Sequence, residues 1–164
     1  MASPSKYQDI VLARVNECLS IACNKLAVDF AMPTVSFNQR GKIAGCARLQ
    51  SNQLRFNPVL LADNLAAFLD EVIPHEICHL LAFRLFGKVR PHGREWKNLM
   101  LQLYGLAGNT YHQLDVSKVM GNTFNYTCLC GPLQLSSRRH NKVLRRKVVY
   151  SCLRCGEKLV AANP

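Results

Sequence analysis

Any fold this chain adopts has to bury a helix that carries two histidines and a glutamate in its first turns. That helix is written in Pro74-His75-Glu76-Ile77-Cys78-His79-Leu80-Leu81. His75 and His79 are four residues apart, so on a helix they share one face and their imidazoles converge on a single ion. Glu76 lies beside the first histidine, where a carboxylate takes a proton from a water activated by that ion instead of ligating it. Pro74 suits a first helical turn, because the N–H it lacks has no intrahelical partner there. Ile77, Leu80, Leu81, Phe83, Leu85 and Phe86 make the rest of the helix core-facing, and Gly87 can close it. Buried polar side chains are costly without compensation, and a metal would provide it.

A catalytic zinc usually takes three protein ligands and keeps a position open for water. The compact form of the motif would place Gly where Ala82 stands, so the third ligand is expected from the next helix. His92 and Glu95, in Pro91-His92-Gly93-Arg94-Glu95-Trp96, both qualify. His92 is preferred, since Gly93 would let the backbone come close to the motif helix. Trp96 is expected in the core. Tyr104, Tyr111, His112 and Tyr126 are the available donors to a tetrahedral oxyanion, and the sequence does not choose among them.

Around this motif the periodicity predicts a mixed chain. Ile10, Val11, Val15, Leu19, Ala22, Leu26 and Phe30 recur at helical spacing from about Ser5 to Phe30, with Ser3 or Ser5 as cap. Thr34–Gln39, Ala44–Leu49 and Gln53–Phe56 read as short strands separated by turns, a three-stranded antiparallel meander in the simplest arrangement. Helical spacing returns over 59–71 and again over 93–106, through Trp96, Leu99, Met100, Leu103 and Tyr104. Residues 109–126 read as irregular.

From Tyr126 onward the cysteine spacing takes over. Cys152-Leu-Arg-Cys155-Gly156 is a zinc-knuckle pattern, in which two intervening residues let both thiolates reach one ion. Its partner, Cys128-Leu-Cys130-Gly131, is one residue shorter than usual, and residues two apart on a strand still face one side. Together they predict a zinc ribbon with an exposed basic hairpin between its halves, His140 being an alternative ligand to Cys130. So short a segment buries too little apolar area to fold without help, so the ion would supply most of its stability.

The chain has 164 residues and a formal charge of +11. Residues 116–164 carry +8 of it and residues 1–115 only +3. That asymmetry points to a polyanion, nucleic acid before anionic membrane. Arg138, Arg139, Lys142, Arg145, Arg146 and Lys147 are the candidate phosphate contacts, with Tyr126 or Tyr150 available to stack on unpaired bases. The N-terminus has no apolar signal-peptide core and no stretch is long enough to span a bilayer, so an intracellular chain with reduced cysteines is expected.

Asn57-Pro-Val-Leu-Leu61, Val72-Ile-Pro-His-Glu-Ile-Cys-His-Leu-Leu81, Phe86-Gly-Lys-Val-Arg-Pro-His-Gly-Arg-Glu-Trp-Lys97, Asn122-Thr-Phe124, Arg138-Arg-His-Asn141 and Tyr150-Ser-Cys-Leu-Arg-Cys-Gly156 resemble the SprT-like family, its bacterial SprT branch in particular. The wider family includes the eukaryotic Spartan protease, and the likeness runs from about Val35 to Val160. It implies an α+β fold: a small zincin metalloprotease domain over 1–115, then a basic zinc ribbon over 116–164. It puts His75, His79 and His92 at a catalytic Zn²⁺ and Glu76 in the general-base role. Cys128, Cys130, Cys152 and Cys155 would bind a structural Zn²⁺. The activity it implies is DNA-dependent cleavage of proteins trapped on DNA by a cytoplasmic, nucleoid-associated monomer without a membrane partner. The short first knuckle departs from the usual ribbon pattern. The alternative is a non-enzymatic regulatory protein that binds zinc and nucleic acid, its zincin helix holding metal only structurally.

Overall fold

The computed structural model describes residues 4–110 and 113–162, with the side chains of residues 4–6 left aside. The chain parts into two compact units, 1–119 and 120–164; the boundary expected from the sequence lay at 115/116.

In the first unit, helix α1 (Pro4–Leu26) buries Val11, Val15, Cys18, Leu19 and Ala22 along one stripe. It stops four residues before the periodicity does, because Ala27 turns to a φ of 51°. Phe30 still packs on the core, but from irregular chain. Ser3 lies outside the described residues, and the side chain of Ser5 likewise.

Strands β1 (Thr34–Ser36), β2 (Gly45–Arg48) and β3 (Gln53–Phe56) form one sheet in the order β1-β3-β2. The expected meander is corrected: β2 and β3 pair antiparallel as a hairpin, but β1 lies parallel to β3 on its other edge. The reason is burial. Leu54 and Phe56 of β3 are fully buried, so the most apolar strand takes the centre and the connection 37–44 crosses its end. That leaves β2 as an edge.

Asn57 fixes this crossing. It is 1% exposed. Its Nδ2 donates to the carbonyls of Gly41 (2.7 Å) and Ile43 (3.4 Å), and its backbone N–H donates to Ala44. Its Oδ1 accepts from Val59 and Leu60 N–H and so caps helix α2 (Pro58–Asp63). The helical spacing over 59–71 is interrupted at Asn64, resumes in α3 (Leu65–Ala67), and continues as one π-helical turn over Phe68–Val72 into α4 (Ile73–Phe86). Asn64 exchanges hydrogen bonds with the Asp115 backbone (2.8 and 3.1 Å), and Lys118 meets Asp63 at 2.6 Å. These contacts hold residues 113–119 against the unit, where Leu114 and Val116 line the cleft above α4. Helix α5 (Arg94–Tyr104) packs Trp96, Leu99, Met100 and Leu103 into the same core.

The second unit is built on β4 (Thr123–Cys128) and β5 (Gly131–Ser136), an antiparallel hairpin with β6 (Val160–Ala161) along β4. Its buried centre is Tyr126, Leu135 and Leu159. The basic run is not the expected hairpin: Ser137–Leu144 is a helix, α6. His140 and Val143, three residues apart, both pack on the small core from one face, and the charged residues take the rest of the surface. Among the described residues no helix is long and apolar enough to cross a membrane.

Candidate metal centre

Helix α4 aims His75 and His79 at one point, and the turn before α5 brings His92 to the same place. Arg90-Pro91-His92-Gly93 is closed by the Gly93 N–H on the Arg90 carbonyl at 2.9 Å. His92 takes the third position with a φ of 56°, a setting such turns normally give to glycine. A side chain there costs about 1 kcal/mol or more, which the surroundings must impose. Gly93 is required for a different reason, since a Cβ would lie 2.8 Å from the Arg90 carbonyl oxygen.

The three Nε2 atoms lie 3.2 Å (75–79), 3.0 Å (79–92) and 3.0 Å (92–75) apart. The three nitrogens cannot hydrogen-bond along all three sides of the triangle, because each Nε2 is either a donor or an acceptor and two of the three must share a role. A divalent cation accepts all three lone pairs at once. Nitrogens bound tetrahedrally at about 2.0–2.1 Å from zinc stand roughly 3.4 Å apart, close to this spacing. Burial first, and His92 second, depress the His79 pKa to about 4, which keeps that ring neutral and able to ligate at neutral pH. The donor set therefore fits Zn²⁺. Glu95 is not part of this group of converging donors, so of the two candidate third ligands His92 is the one brought in.

Trp96 has a role that sequence reasoning missed. It is buried as expected, but its ring centroid lies 4.6 Å from His75, 5.4 Å from His79 and 4.8 Å from His92. Its Nε1 donates to the His75 carbonyl at 3.2 Å. One indole thus packs against all three imidazoles and ties down the backbone of the first. Its position four residues after His92 is the only signal the sequence held.

Glu76 is 7% exposed, on the β2 side of the triad. Desolvation raises its pKa to about 7, against a smaller opposing pull from the Ala47 N–H. Gly45 is what leaves room for it: a Cβ there would lie 2.8 Å from Glu76 Cγ. The triad and Glu76 open into a cleft of about 650 Å³, walled by β2, the 39–44 connection, Thr110, Leu114 and Val116. Gln39, Lys42 and Thr110 contribute polar groups to it that the sequence did not flag. Of the proposed oxyanion donors, Tyr104 donates instead to the Cys18 carbonyl (3.0 Å), and Tyr126 belongs to the second unit. Tyr111 and His112 lie outside the described residues.

In the second unit the four sulfurs of Cys128, Cys130, Cys152 and Cys155 lie within 4.8 Å of one another, with Cys130 and Cys152 at 4.0 Å. Sulfurs about 2.3 Å from a tetrahedral zinc stand near 3.8 Å apart, so this set fits a structural ion. The short knuckle is explained by its place: Leu129-Cys130 is the two-residue turn of the β4–β5 hairpin, and Gly131 follows at a φ of 121°. Backbone N–H groups of Cys155 and Arg154 pull the Cys152 thiol down to about 6. Without an ion to share the charge, hydrogen bonding to Cys155 pushes Cys130 up to about 12. His140 is not an alternative ligand. Its ring stacks on Phe124 at 3.7 Å, and its Nδ1 meets the Tyr126 hydroxyl at 3.0 Å. Tyr126 is 1% exposed and cannot stack on a base. Tyr150 is half-buried beside a cavity of about 460 Å³, with the Arg139 guanidinium 5.8 Å from its ring. Arg138, Arg139, Lys142, Arg145, Arg146 and Lys147 lie on α6 and the turn after it, at the surface of the unit.

Three-histidine and four-cysteine donor sets in separate units of one short chain define a protein with two candidate metal centres. The SprT-like family profile matches residues 15–117, and the chain belongs to that family. It is 50% identical over 155 residues to Protein SprT of Shewanella oneidensis, covering 94% of this chain and 99% of that one. It is 48% identical over 143 residues to Protein SprT of Vibrio parahaemolyticus, covering 87% of each. Protein SprT of Escherichia coli O157:H7 is 46% identical over 158 residues, 96% of each chain. No solved structure matches the chain.

Proposed function

We propose that this chain is a zinc-dependent endopeptidase of the zincin type that binds DNA through its second unit and cleaves proteins bound or crosslinked to it. The observation that carries the reading is the convergence of the His75, His79 and His92 Nε2 atoms at 3.0–3.2 Å with the Glu76 carboxyl buried alongside. His75, His79 and His92 would hold the catalytic ion; Cys128, Cys130, Cys152 and Cys155 would hold a structural one. When bound, the catalytic ion polarises the scissile carbonyl and acidifies water. Glu76 takes the proton of the attacking water and returns it to the leaving amine. A carboxyl that burial has brought near neutrality, fixed by the Ala47 N–H, is suited to both transfers. The outer edge of β2, which no described strand pairs, offers main-chain groups to an extended peptide lying in the cleft. A purely structural metal has no need of the buried acid, and this favours the enzyme over the binding-module alternative.

The six cations of 138–147 would grip phosphates without reading bases, and the half-buried Tyr150 would offer the exposed part of its ring to an unpaired base. Holding protease and substrate on one DNA raises the effective concentration of that substrate. An enzyme acting on DNA-bound proteins would work at the nucleoid, as a monomer.

The test is digestion of a DNA-bound protein by the zinc-loaded chain and by Glu76→Gln, with fragments identified by mass spectrometry. Fragments that require Glu76 support the proposal. Equal fragments from both would remove Glu76 from the mechanism. DNA binding without cleavage, with both metal sites full, would transfer the reading to the non-enzymatic alternative.

A further inference from the structure

Beside the metal cleft, on the other side of His92, lies a second groove of about 680 Å³. Pro91, His92 and Thr110 belong to both walls. The two differ in chemistry. The metal cleft is walled mainly by Ile43, Ala44, Leu49, Leu114 and Val116, as suits a polypeptide, whereas the groove is lined by Arg90, Arg94, Lys97 and Asn98. Arg94, Lys97 and Asn98 share the outer face of α5, opposite Trp96, Leu99 and Met100, and Arg90 leads the turn that carries His92.

The charge here is concentrated. The groove's lining holds three cations, Arg90, Arg94 and Lys97, and no acid, against a net of +3 for the whole of residues 1–115. Two acids elsewhere in the unit have their own partners: Glu17 pairs with Arg14 and Asp63 with Lys118. Glu95, next to Arg94 in sequence, reaches it only at 3.9 Å. Arg90 and Lys97 form no ion pair among the described residues. Cations kept without acidic partners along an open polar groove are the arrangement that releases counterions when a phosphodiester backbone is laid across it.

We infer that Arg90, Arg94 and Lys97 form a phosphate-binding groove in the catalytic unit itself, running DNA past the His92 side of the active cleft. This rests on the proposed function and adds to it a second DNA contact, separate from the 138–147 cations. It confines cutting to peptide bonds close to the nucleic acid, because the groove and the cleft share His92.

The test uses the full zinc-loaded chain and a fluorescein-labelled mixed-sequence oligonucleotide, single-stranded and as duplex. Binding is followed by anisotropy across a salt series. The variant Arg90→Ala/Arg94→Ala/Lys97→Ala is expected to lower the slope of log Kobs against log salt by about 2 to 3, from about 0.7–0.9 per lost phosphate contact. The charge-preserving Arg90→Lys/Arg94→Lys/Lys97→Arg is expected to keep the wild-type slope, which separates lost contacts from misfolding. An unchanged slope in the alanine variant, with Arg138→Ala/Arg139→Ala/Arg145→Ala/Arg146→Ala flattening it alone, overturns the groove and leaves the proposed function standing. Wild-type protein that does not bind DNA would defeat the proposed function and the groove with it. Loss of polyglutamate binding with an unchanged DNA slope would make the groove an acidic-peptide subsite and overturn the inference.

Discussion

Removing the Glu76 charge should stabilise the metal-free protein, and the structure gives the size and pH range of the effect. The carboxyl is 7% exposed, and desolvation raises its pKa from 4.5 to about 7. Between those values the folded state holds a proton that the unfolded chain has released. Stability therefore falls as pH rises from about 4.5 to 7, then levels off. At about 1.4 kcal/mol per pKa unit, the ionised side chain costs the apo fold on the order of 3 kcal/mol at about pH 8 and nothing at about pH 4.5. A glutamine in its place cannot ionise and still accepts from the Ala47 N–H. Metal-free Glu76→Gln is expected to melt roughly 10 °C above wild type at about pH 8, with the gap closing by about pH 4.5. Zinc should narrow the gap at the higher pH, since its charge compensates the carboxylate. Trp96, the sole tryptophan, sits on the histidine triad and reports unfolding of the first unit alone. Equal melting at the higher pH, or a gap independent of pH, would refute the argument from burial.

Three other perturbations probe different parts of the account. Asn57→Asp keeps the acceptor that caps α2 but replaces the donor to the Gly41 and Ile43 carbonyls with a repelling carboxylate. Amide exchange at Gln39 and at position 57, whose N–H groups donate to Phe56 and Ala44, should accelerate and KM should rise more than kcat falls; exchange as slow as in wild type would show that the Asn57 side chain does not hold the cleft wall. Gly45→Ala puts a Cβ 2.8 Å from Glu76 Cγ and should lower kcat by about tenfold or more with the zinc content intact; full activity would mean that Glu76 has room the geometry denies it. Cys152→Ser should remove about one zinc per chain and loosen residues 120–162 while the histidine site stays loaded. Loss of both ions would mean the two centres are not independent.

The sequence was most legible where a local period or spacing decides the structure. Helix α4 needed only its apolar face and its His-Glu-x-x-His register, and the cysteine cluster only its two knuckles. Sheet order was not legible, because strand succession does not say which strand is most buried; the paired Leu54 and Phe56 were the signal for β3 at the centre. Helix α6 was hidden by its charges, although Ser136, just ahead of it, reads as a helix start, and His140 and Val143 mark its inner face. Three contributors to the site depend on contacts between distant segments: Asn57 on the 41–44 connection, Gly45 against Glu76, and Trp96 against three imidazoles. No periodicity encodes those.

The most direct test of the coupled-protease claim is a competition in one tube. One substrate protein is offered in two labelled forms, crosslinked to DNA and free, to the zinc-loaded chain. Tethering on DNA supplies effective concentrations of order millimolar, so at micromolar protein the crosslinked form should be cut on the order of 10³ times faster, and only when Glu76 is present. Equal cutting of the two forms would contradict the coupling and leave a protease whose basic second unit does something else.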